Sequence, residues 1–253
     1  MHDPKLDSDN SAAVNEFYPH LHGIREEVEY SEIQGIRLYH NRNTIHFPSH
    51  WHSAIEILYP LEENYTVKIG TEESVLVPGD ILVIAPGTIH SYTPPESGER
   101  IFILFDYNLL KMFRGLRQMM QAIQPYLLIT QTAYPPLNEK LQELLRDVIR
   151  EYDEDSPYCG AMIWSRLLEF FAYIGRTDVY RVSHSREFPK DKRQEYVTKF
   201  MEVCNYITDH LDEEINTDRL AEIAGFSKFH FSRLFKEFTG YSSHEYLIQR
   251  RLE

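Results

Sequence analysis

Three histidines and one glutamate have the types and the spacing of a metal-binding set. His50 and His52 lie two residues apart, so on a β-strand they share a face, and Glu56 shares it if the strand continues without a bulge. His90 follows a Pro-Gly turn and comes from a separate strand. Three imidazoles and a carboxylate that converge suit a divalent transition metal such as Zn, Fe, Mn or Ni. The alternative is that the histidines pack or hydrogen-bond at the mouth of the β-fold, Glu56 pairs locally and His90 supports a turn.

A second set, near the end of the sequence, has the pattern of two short helices joined by a tight turn. Asn216 or Thr217 can cap the first helix, Gly225 can take the positive φ that ends it, and Ser227 can cap the second. Apolar residues recur at helical spacing on the facing sides of the two helices: Leu220, Ile223, Ala224, Phe231, Leu234, Phe235 and Phe238. This pattern predicts a helix-turn-helix, whose second helix enters the DNA major groove.

Length and charge are compatible with a DNA-binding protein of two domains. The chain has 253 residues, enough for two folded cores, and a net charge of -13. Residues 190–253 hold 10 basic and 12 acidic residues, whereas the rest holds 16 and 27. Acidity outside the basic face limits non-specific binding. The distant Cys159 and Cys204 predict buried thiols, and neither a signal peptide nor a membrane-length apolar run is found, so we expect a cytoplasmic protein with no membrane partner.

The elements that must position these residues follow from changes in periodicity. From about residue 29 to 106 short β-rich runs alternate with Pro and Gly turns, which predicts a β-sandwich or barrel. Beyond residue 109 the period becomes helical, and a polar stretch then separates this part from the helix-turn-helix. The predicted organisation is an arm (1–28), a β-barrel (29–107), a helical segment (108–176), a linker (177–194) and a helix-turn-helix domain (195–253).

Two resemblances rest on these residues. The run LAEIAGFSKFHFSRLFKEFTGYSSHEYLIQRRLE resembles the first half of the DNA-binding domain of the AraC/XylS family of bacterial transcription regulators. The spacing of the histidine set, with Gly79 and a Pro-Gly turn, resembles the cupin barrel over roughly Glu29 to Tyr107. Together they imply an α+β fold: an N-terminal cupin-like β-barrel that senses an effector, an α-helical dimerisation segment and an all-α helix-turn-helix subdomain.

The AraC/XylS resemblance also implies roles for single residues and partners. Phe229, Ser232 and Arg233 would contact bases of a double-stranded DNA operator, with Lys228 and Lys236 near phosphates. Arg233 is the strongest base reader, because its fork can bond guanine in a bidentate way; the alternative is that it pairs with a carboxylate.

The resemblance further implies a small-molecule effector, a sugar being one candidate, in a pocket lined by the four residues His50, His52, Glu56 and His90. The helical pair around 137–175 would form a homodimer, although its apolar stripe also suits packing against the barrel. Activation is the family's default mode.

The family's DNA-binding domain has two helix-turn-helix units, and the second is missing from this sequence. A capping box, Ser242-x-x-Glu245, opens a helix that runs to Glu253 without a stop signal. The sequence therefore looks like part of a longer regulator, and as given we expect weak and poorly specific DNA binding.

Two other function classes compete with the regulator. A metal-dependent cupin enzyme, or a metal sensor, would use His50, His52, Glu56 and His90 as ligands. A module that acts through protein partners alone is the third. A nucleophile constellation and a phosphate-cradling glycine loop are not seen in the sequence, so hydrolase and nucleotide-dependent activities have no support, and we expect no enzyme.

Overall fold

The computed structural model describes residues 20–30, 33, 35–106, 116, 123, 125–177 and 192–252. The strands in this part are β1 (His20–His22), β2 (Arg25–Glu27), β3 (Ile36–Asn41), β4 (Phe47–His50), β5 (Ile55–Pro60), β6 (Tyr65–Ile69), β7 (Glu72–Leu76), β8 (Ile81–Ile84), β9 (His90–Thr93), β10 (Arg100–Phe105) and β11 (Tyr126–Ile129). The helices are α1 (Pro135–Glu154), α2 (Cys159–Gly175), α3 (Lys192–Asp209), α4 (Thr217–Ala224), α5 (Lys228–Thr239) and α6 (Ser243–Leu252).

Two antiparallel sheets pack face to face and form the β-domain. One has the strand order β11-β8-β5-β10-β3 and the other β4-β9-β6-β7, while β1 and β2 form a separate hairpin. The space between the sheets is filled by buried side chains from both layers: Leu58, Val67, Leu82, Tyr92, Phe102 and Leu104. The β-rich stretch predicted from about residue 29 to 106 contains the strands β3 to β10, and the α+β fold with a cupin-like β-domain is confirmed.

The five-stranded sheet is covered on both faces, which explains its uninterrupted apolar strands. Even-numbered residues of β5, β8 and β10 face the four-stranded sheet, whereas odd-numbered ones face α1 and α2. The apolar stripe of the helical pair packs on that outer face, where its members are fully buried: Leu141, Leu145, Ile163, Phe170, Phe171 and Ile174. The stripe therefore lies inside the chain, as in the alternative to a dimer interface, and homodimerisation stays a prediction.

Two elements differ from the expected organisation. β11 lies in the segment 108–176 that the periodicity predicts as helical, and it pairs with β8 at the edge of the five-stranded sheet. The β1–β2 hairpin lies in the predicted arm, and Glu26 N donates to Trp51 O at 2.8 Å. In both places a strand of only three or four residues is too short to show a period. The predictions for residues 1–19 and for most of the linker, 178–191, lie outside the described residues.

The four C-terminal helices share a core that includes two residues of the β-domain. Trp51 and Ile89 pack with side chains of α3, α4, α5 and α6 in one buried cluster. Cys204 belongs to this cluster, and burial raises the pKa of its thiol. Of the helices in the described part of the chain, none has the length and apolar composition that crossing a membrane requires. Because Trp51 and Ile89 belong to the β-domain, their packing places the helix-turn-helix directly on the end of the barrel.

Candidate functional site

Pairing of β4 with β9 brings His50 and His90 together. His50 at the end of β4 lies opposite His90 at the start of β9, and their ring centroids are 4.1 Å apart. β4 stops at His50 and β5 starts only at Ile55, so the strand is not continuous to Glu56 as the simple period assumed. The bend between the two strands instead brings His52 over the start of β5. One ring nitrogen of each of the three histidines lies within 4.8 Å of those of the other two.

A hydrogen bond from Nδ1 to a backbone carbonyl fixes the orientation of each of the three rings. His50 Nδ1 bonds Pro48 O at 2.9 Å, His52 Nδ1 bonds Ala54 O at 3.1 Å, and His90 Nδ1 bonds Thr88 O at 2.8 Å. A carbonyl accepts only, so each Nδ1 carries a proton and donates. In the neutral ring the lone pair is then on Nε2, the tautomer that metal-ligating histidines adopt when a carbonyl holds the other nitrogen.

Glu56 reaches the histidines from the opposite sheet. Its position on β5 shares the inner face with Leu58. Its Oε2 atom lies 2.7 Å from His52 Nε2 and 3.4 Å from His90 Nε2, and its Oε1 atom accepts from the Tyr92 hydroxyl. All of these groups are buried. The structure thus brings together all four residues predicted from the sequence.

The buried ionisable groups shift each other's pKa values. Burial raises the pKa of Glu56, but the contacts with His52 and His90 outweigh it and hold that pKa well below the usual range. Burial lowers the pKa of His52, but the Glu56 carboxylate outweighs it and raises that pKa. Burial and the neighbouring His50 ring lower the pKa of His90 to about 4. Burial and Glu56 raise the pKa of Tyr92. His90 is therefore a neutral ring at neutral pH.

A fifth residue of the site, Glu26, was missed by sequence reasoning. It is 4% exposed, and its Oε2 atom lies 3.2 Å from His50 Nε2. Its hairpin docks beside Trp51, through Glu26 N to Trp51 O at 2.8 Å and Trp51 N to Ile24 O at 2.9 Å. Twenty-four positions separate Glu26 from His50, and Glu26 stands in the charged run REEVE, so neither spacing nor polarity singles it out.

The helix-turn-helix has the predicted caps. The Asn216 side chain, not that of Thr217, accepts from Arg219 N at 2.9 Å and so caps α4, and Gly225 ends α4 with a φ of 69°. Ser227 caps α5. In the predicted capping box, Ser242 N donates to Glu245 Oε2 at 2.7 Å. The contacts of Asn216, Gly225 and Ser227 fix the turn between α4 and α5, and the capping box opens α6, as the sequence predicts.

The outer face of α5 carries the five residues expected to meet DNA, and all are exposed: Lys228, Phe229, Ser232, Arg233 and Lys236. Phe229 is 84% exposed, although it is a large apolar side chain. Lys228 Nζ pairs with Asp218 at 2.7 Å on the surface, a contact that DNA phosphates can replace at little cost. Arg233 has no carboxylate partner among the described residues. Its guanidinium is accessible, as base reading requires.

Comparisons with known proteins match both halves of this architecture. A family model described as AraC-like ligand-binding domain matches residues 34–171, and one for bacterial regulatory helix-turn-helix proteins of the AraC family matches residues 207–247. The transposon Tn10 TetD protein of Escherichia coli is 39% identical over 62 residues, 24% of this chain and 45% of TetD. The multiple antibiotic resistance protein MarA of Salmonella typhimurium is 32% identical over 50 residues, 20% of this chain and 39% of MarA.

The chain thus spans less than half the length of these curated relatives. Among solved structures, it is similar to the AraC-like transcriptional activator CuxR, with 12% identity and a TM-score of 0.47 over 79% of this chain and 66% of CuxR. The ligand-binding-domain model covers more than half of the 253 residues, and the helix-turn-helix model matches the other end. The chain therefore belongs to the AraC family of bacterial regulatory proteins.

Proposed function

We propose that the chain is a transcription regulator that binds double-stranded DNA through α5 and responds to a ligand in its β-domain. The observation that carries this proposal is the outer face of α5, where Arg233 and Lys236 are exposed beside Ser232 and Phe229 on a correctly capped helix. A helix of this kind places its outward residues at base edges in the major groove. Phe229 would contact a thymine methyl or a sugar, and Lys228 and Lys236 would contact phosphates.

The proposal is tested by selecting duplexes from a random-sequence library with the 253-residue chain and measuring Kd for the selected duplex. Arg233→Ala should cost about 1–3 kcal/mol of specific binding and relax the preference at one base position. Lys236→Ala should weaken all duplexes alike and reduce the salt slope by about 1. Arg150→Ala, an exposed arginine on α1, is the matched control and should leave Kd unchanged. Equal losses for Arg233→Ala and Arg150→Ala would contradict the role of α5.

The family points to a binding role for the β-domain rather than to catalysis. A bound effector would contact the set His50, His52, Glu56 and His90, which is buried in the β-domain. A sugar ring does not fit between groups that already lie 2.7–3.4 Å apart, so a sugar would have to sit outside them. A regulator of bacterial DNA would act in the cytoplasm. Pairing of two copies would place two recognition helices on one operator, and native mass spectrometry of the chain tests that homodimer.

A further inference from the structure

One of the three buried histidines has a ring nitrogen without a hydrogen-bond partner among the described residues, and the other two face carboxylates. Because each Nδ1 donates to a carbonyl, each Nε2 of a neutral ring presents a lone pair to its surroundings. His90 Nε2 is buried and has no hydrogen-bond partner in the described part of the chain. His50 Nε2 and His52 Nε2 face oxygens of Glu26 and Glu56, which also carry only lone pairs when ionised. Between such atoms a cation must lie, either a proton or a metal ion.

We propose that His50, His52, His90 and Glu56 bind one divalent transition-metal ion, that Glu26 completes the site, and that the bound ion holds the β1–β2 hairpin against the DNA-binding helices. The metal ion would thus be the signal that the regulator senses. The sensing role rests on the proposed function, whereas the metal site itself does not.

The chemistry of the donors limits the ion. Imidazole nitrogen and carboxylate oxygen together suit Zn, Fe, Ni and Mn, whereas Mg and Ca prefer oxygen alone. Two ligands bound to one ion at about 2.1 Å lie at most about 4.2 Å apart. The ring nitrogens lie within 4.8 Å of one another, so small movements of the rings complete the site. Two buried carboxylates also supply the negative charge that a divalent ion needs, and the carbonyls that hold each Nδ1 supply the outer support.

The β1–β2 hairpin connects the site to the DNA-binding helices. Glu26 faces His50, while its neighbour Glu27 bonds His22 at 3.1 Å and accepts from the Tyr241 hydroxyl at 3.2 Å. Tyr241 lies between α5 and α6. The Arg25 guanidinium lies 5.6 Å from the centre of the Tyr246 ring on α6. A ligand that pulls Glu26 therefore also moves residues in direct contact with the helix-turn-helix.

A second contact joins α3 to the turn that carries His90. Gln194 Nε2 donates to Gly87 O at 2.6 Å, and Gln194 Oε1 accepts from Ile89 N at 2.8 Å. Gly87 N in turn donates to His52 O at 2.8 Å. The segments that carry His52 and His90 are thus both tied to the beginning of α3. Metal binding would stiffen both of the contacts on which the DNA-binding helices rest.

The metal site is tested on the full chain after treatment with a chelator. Mn(II), Fe(II), Ni(II) and Zn(II) are each added alone, unbound metal is removed by gel filtration, and elemental analysis gives the stoichiometry. We expect one ion per chain for at least one metal, with a rise in Tm that grows with metal concentration. A folded wild-type chain that retains none of the four metals overturns the proposal.

Variants separate the ligands from the rest of the molecule. His50→Gln and His90→Gln should weaken metal binding by at least the roughly 10–100-fold that outer-shell changes cost, and Glu26→Gln should weaken it by about 10-fold. His46→Gln, an exposed histidine near β4, and Glu73→Gln, an exposed glutamate on β7, are the matched controls and should bind metal as the wild type does. If a histidine variant fails to fold, Glu26→Gln at the edge of the site still decides, because equal affinity for Glu26→Gln and Glu73→Gln excludes Glu26 as a ligand.

The coupling is read by amide hydrogen exchange, which does not need DNA. Added metal should slow exchange in residues 20–27 and 240–247 by about 10-fold and leave β6 and β7 unchanged, and Glu26→Gln should abolish the effect. Metal binding without slower exchange in the hairpin overturns the coupling. Metal binding with slower exchange, together with a library from which the chain selects no duplex, supports the site and contradicts the proposed DNA-binding function instead.

Discussion

The histidines at the buried site and His40 differ in the partners of their ring nitrogens. His50, His52 and His90 each have one nitrogen on a carbonyl and one turned toward a buried site. His40 on β3 instead has a carboxylate at each nitrogen: Nδ1 lies 2.7 Å from Glu99, and Nε2 lies 3.0 Å from Asp153. In the first arrangement Nε2 can hold either a proton or a metal ion, whereas the second needs both nitrogens protonated. The protonation of a histidine ring therefore differs between the two places because its hydrogen-bond partners differ.

His40 should make stability depend on pH. Burial lowers its pKa, but hydrogen bonds to Glu99 and Asp153 outweigh it and raise that pKa above the unfolded value of about 6.5. The native state therefore holds the proton more tightly, so the stabilisation is complete below pH 6.5 and is lost as pH rises through the folded pKa. We expect an NMR titration to give His40 a pKa above the value of about 6.5 for an unfolded histidine. Asp153→Asn should lower the His40 pKa. An unchanged His40 pKa in this variant would show that Asp153 on α1 does not stabilise the protonated ring.

At the scale of single elements, residue patterns and capping residues predicted the strands and helices that depend on near neighbours in the sequence. The strands β5, β6, β8 and β10 alternate or are continuously apolar between Pro and Gly turns, and the helix-turn-helix has Asn216, Gly225 and Ser227 at its cap positions. Such signals depend on neighbours within a few residues, so the sequence alone carries them. The grouping of His50, His52 and Glu56 rested on the same kind of short spacing, whereas His90 was added from a separate strand after a Pro-Gly turn.

Elements held by distant contacts could not be predicted in this way. β11 is the four-residue run YLLI, whose apolar side chains suit a helix equally well until β8 is available to pair with it. The β1–β2 hairpin contains the polar residues Arg25, Glu26 and Glu27, whose partners lie on α6, on β4 and between α5 and α6. Their burial depends on the assembled chain, not on the composition of the arm.

The cap of α4 gives a prediction at the same scale. Asn216→Ala removes the acceptor of Arg219 N and should lower the local stability of α4 by about 1 kcal/mol. Thr217→Ala is the matched control, because Thr217 is adjacent but does not provide the cap, and its effect should be much smaller. Native-state hydrogen exchange of the amides in α4 measures both values. Equal losses of stability in the two variants would show that the Asn216 side chain does not cap α4.

At the scale of the whole molecule, the hairpin lies between the buried site and the DNA-binding helices. Glu26 faces His50, and His22 on β1 lies against Gly240 at the end of α5. Trp51 lies between His50 and His52 in the chain and packs with the C-terminal helices. At the boundary between the β-domain and the helix-turn-helix, site residues such as Glu26 and His50 are therefore sequence neighbours of Glu27 and Trp51, which contact the C-terminal part.

Gly240 and Gly225 allow the contact with the hairpin to be measured. Both end a helix with positive φ, 83° and 69°, so alanine at either costs roughly 1–2 kcal/mol of backbone strain. A Cβ at Gly240 would lie 2.4 Å from His22 Cβ, whereas one at Gly225 would meet only Lys199 Nζ, at 4.0 Å. Gly240→Ala should therefore displace the hairpin and speed amide exchange in residues 20–27 by roughly 10-fold, which corresponds to about 1.4 kcal/mol, while Gly225→Ala leaves it unchanged. Similar exchange in both variants would mean that the helices do not rest on the hairpin in solution, and metal binding would then have no path to α5 through Glu26.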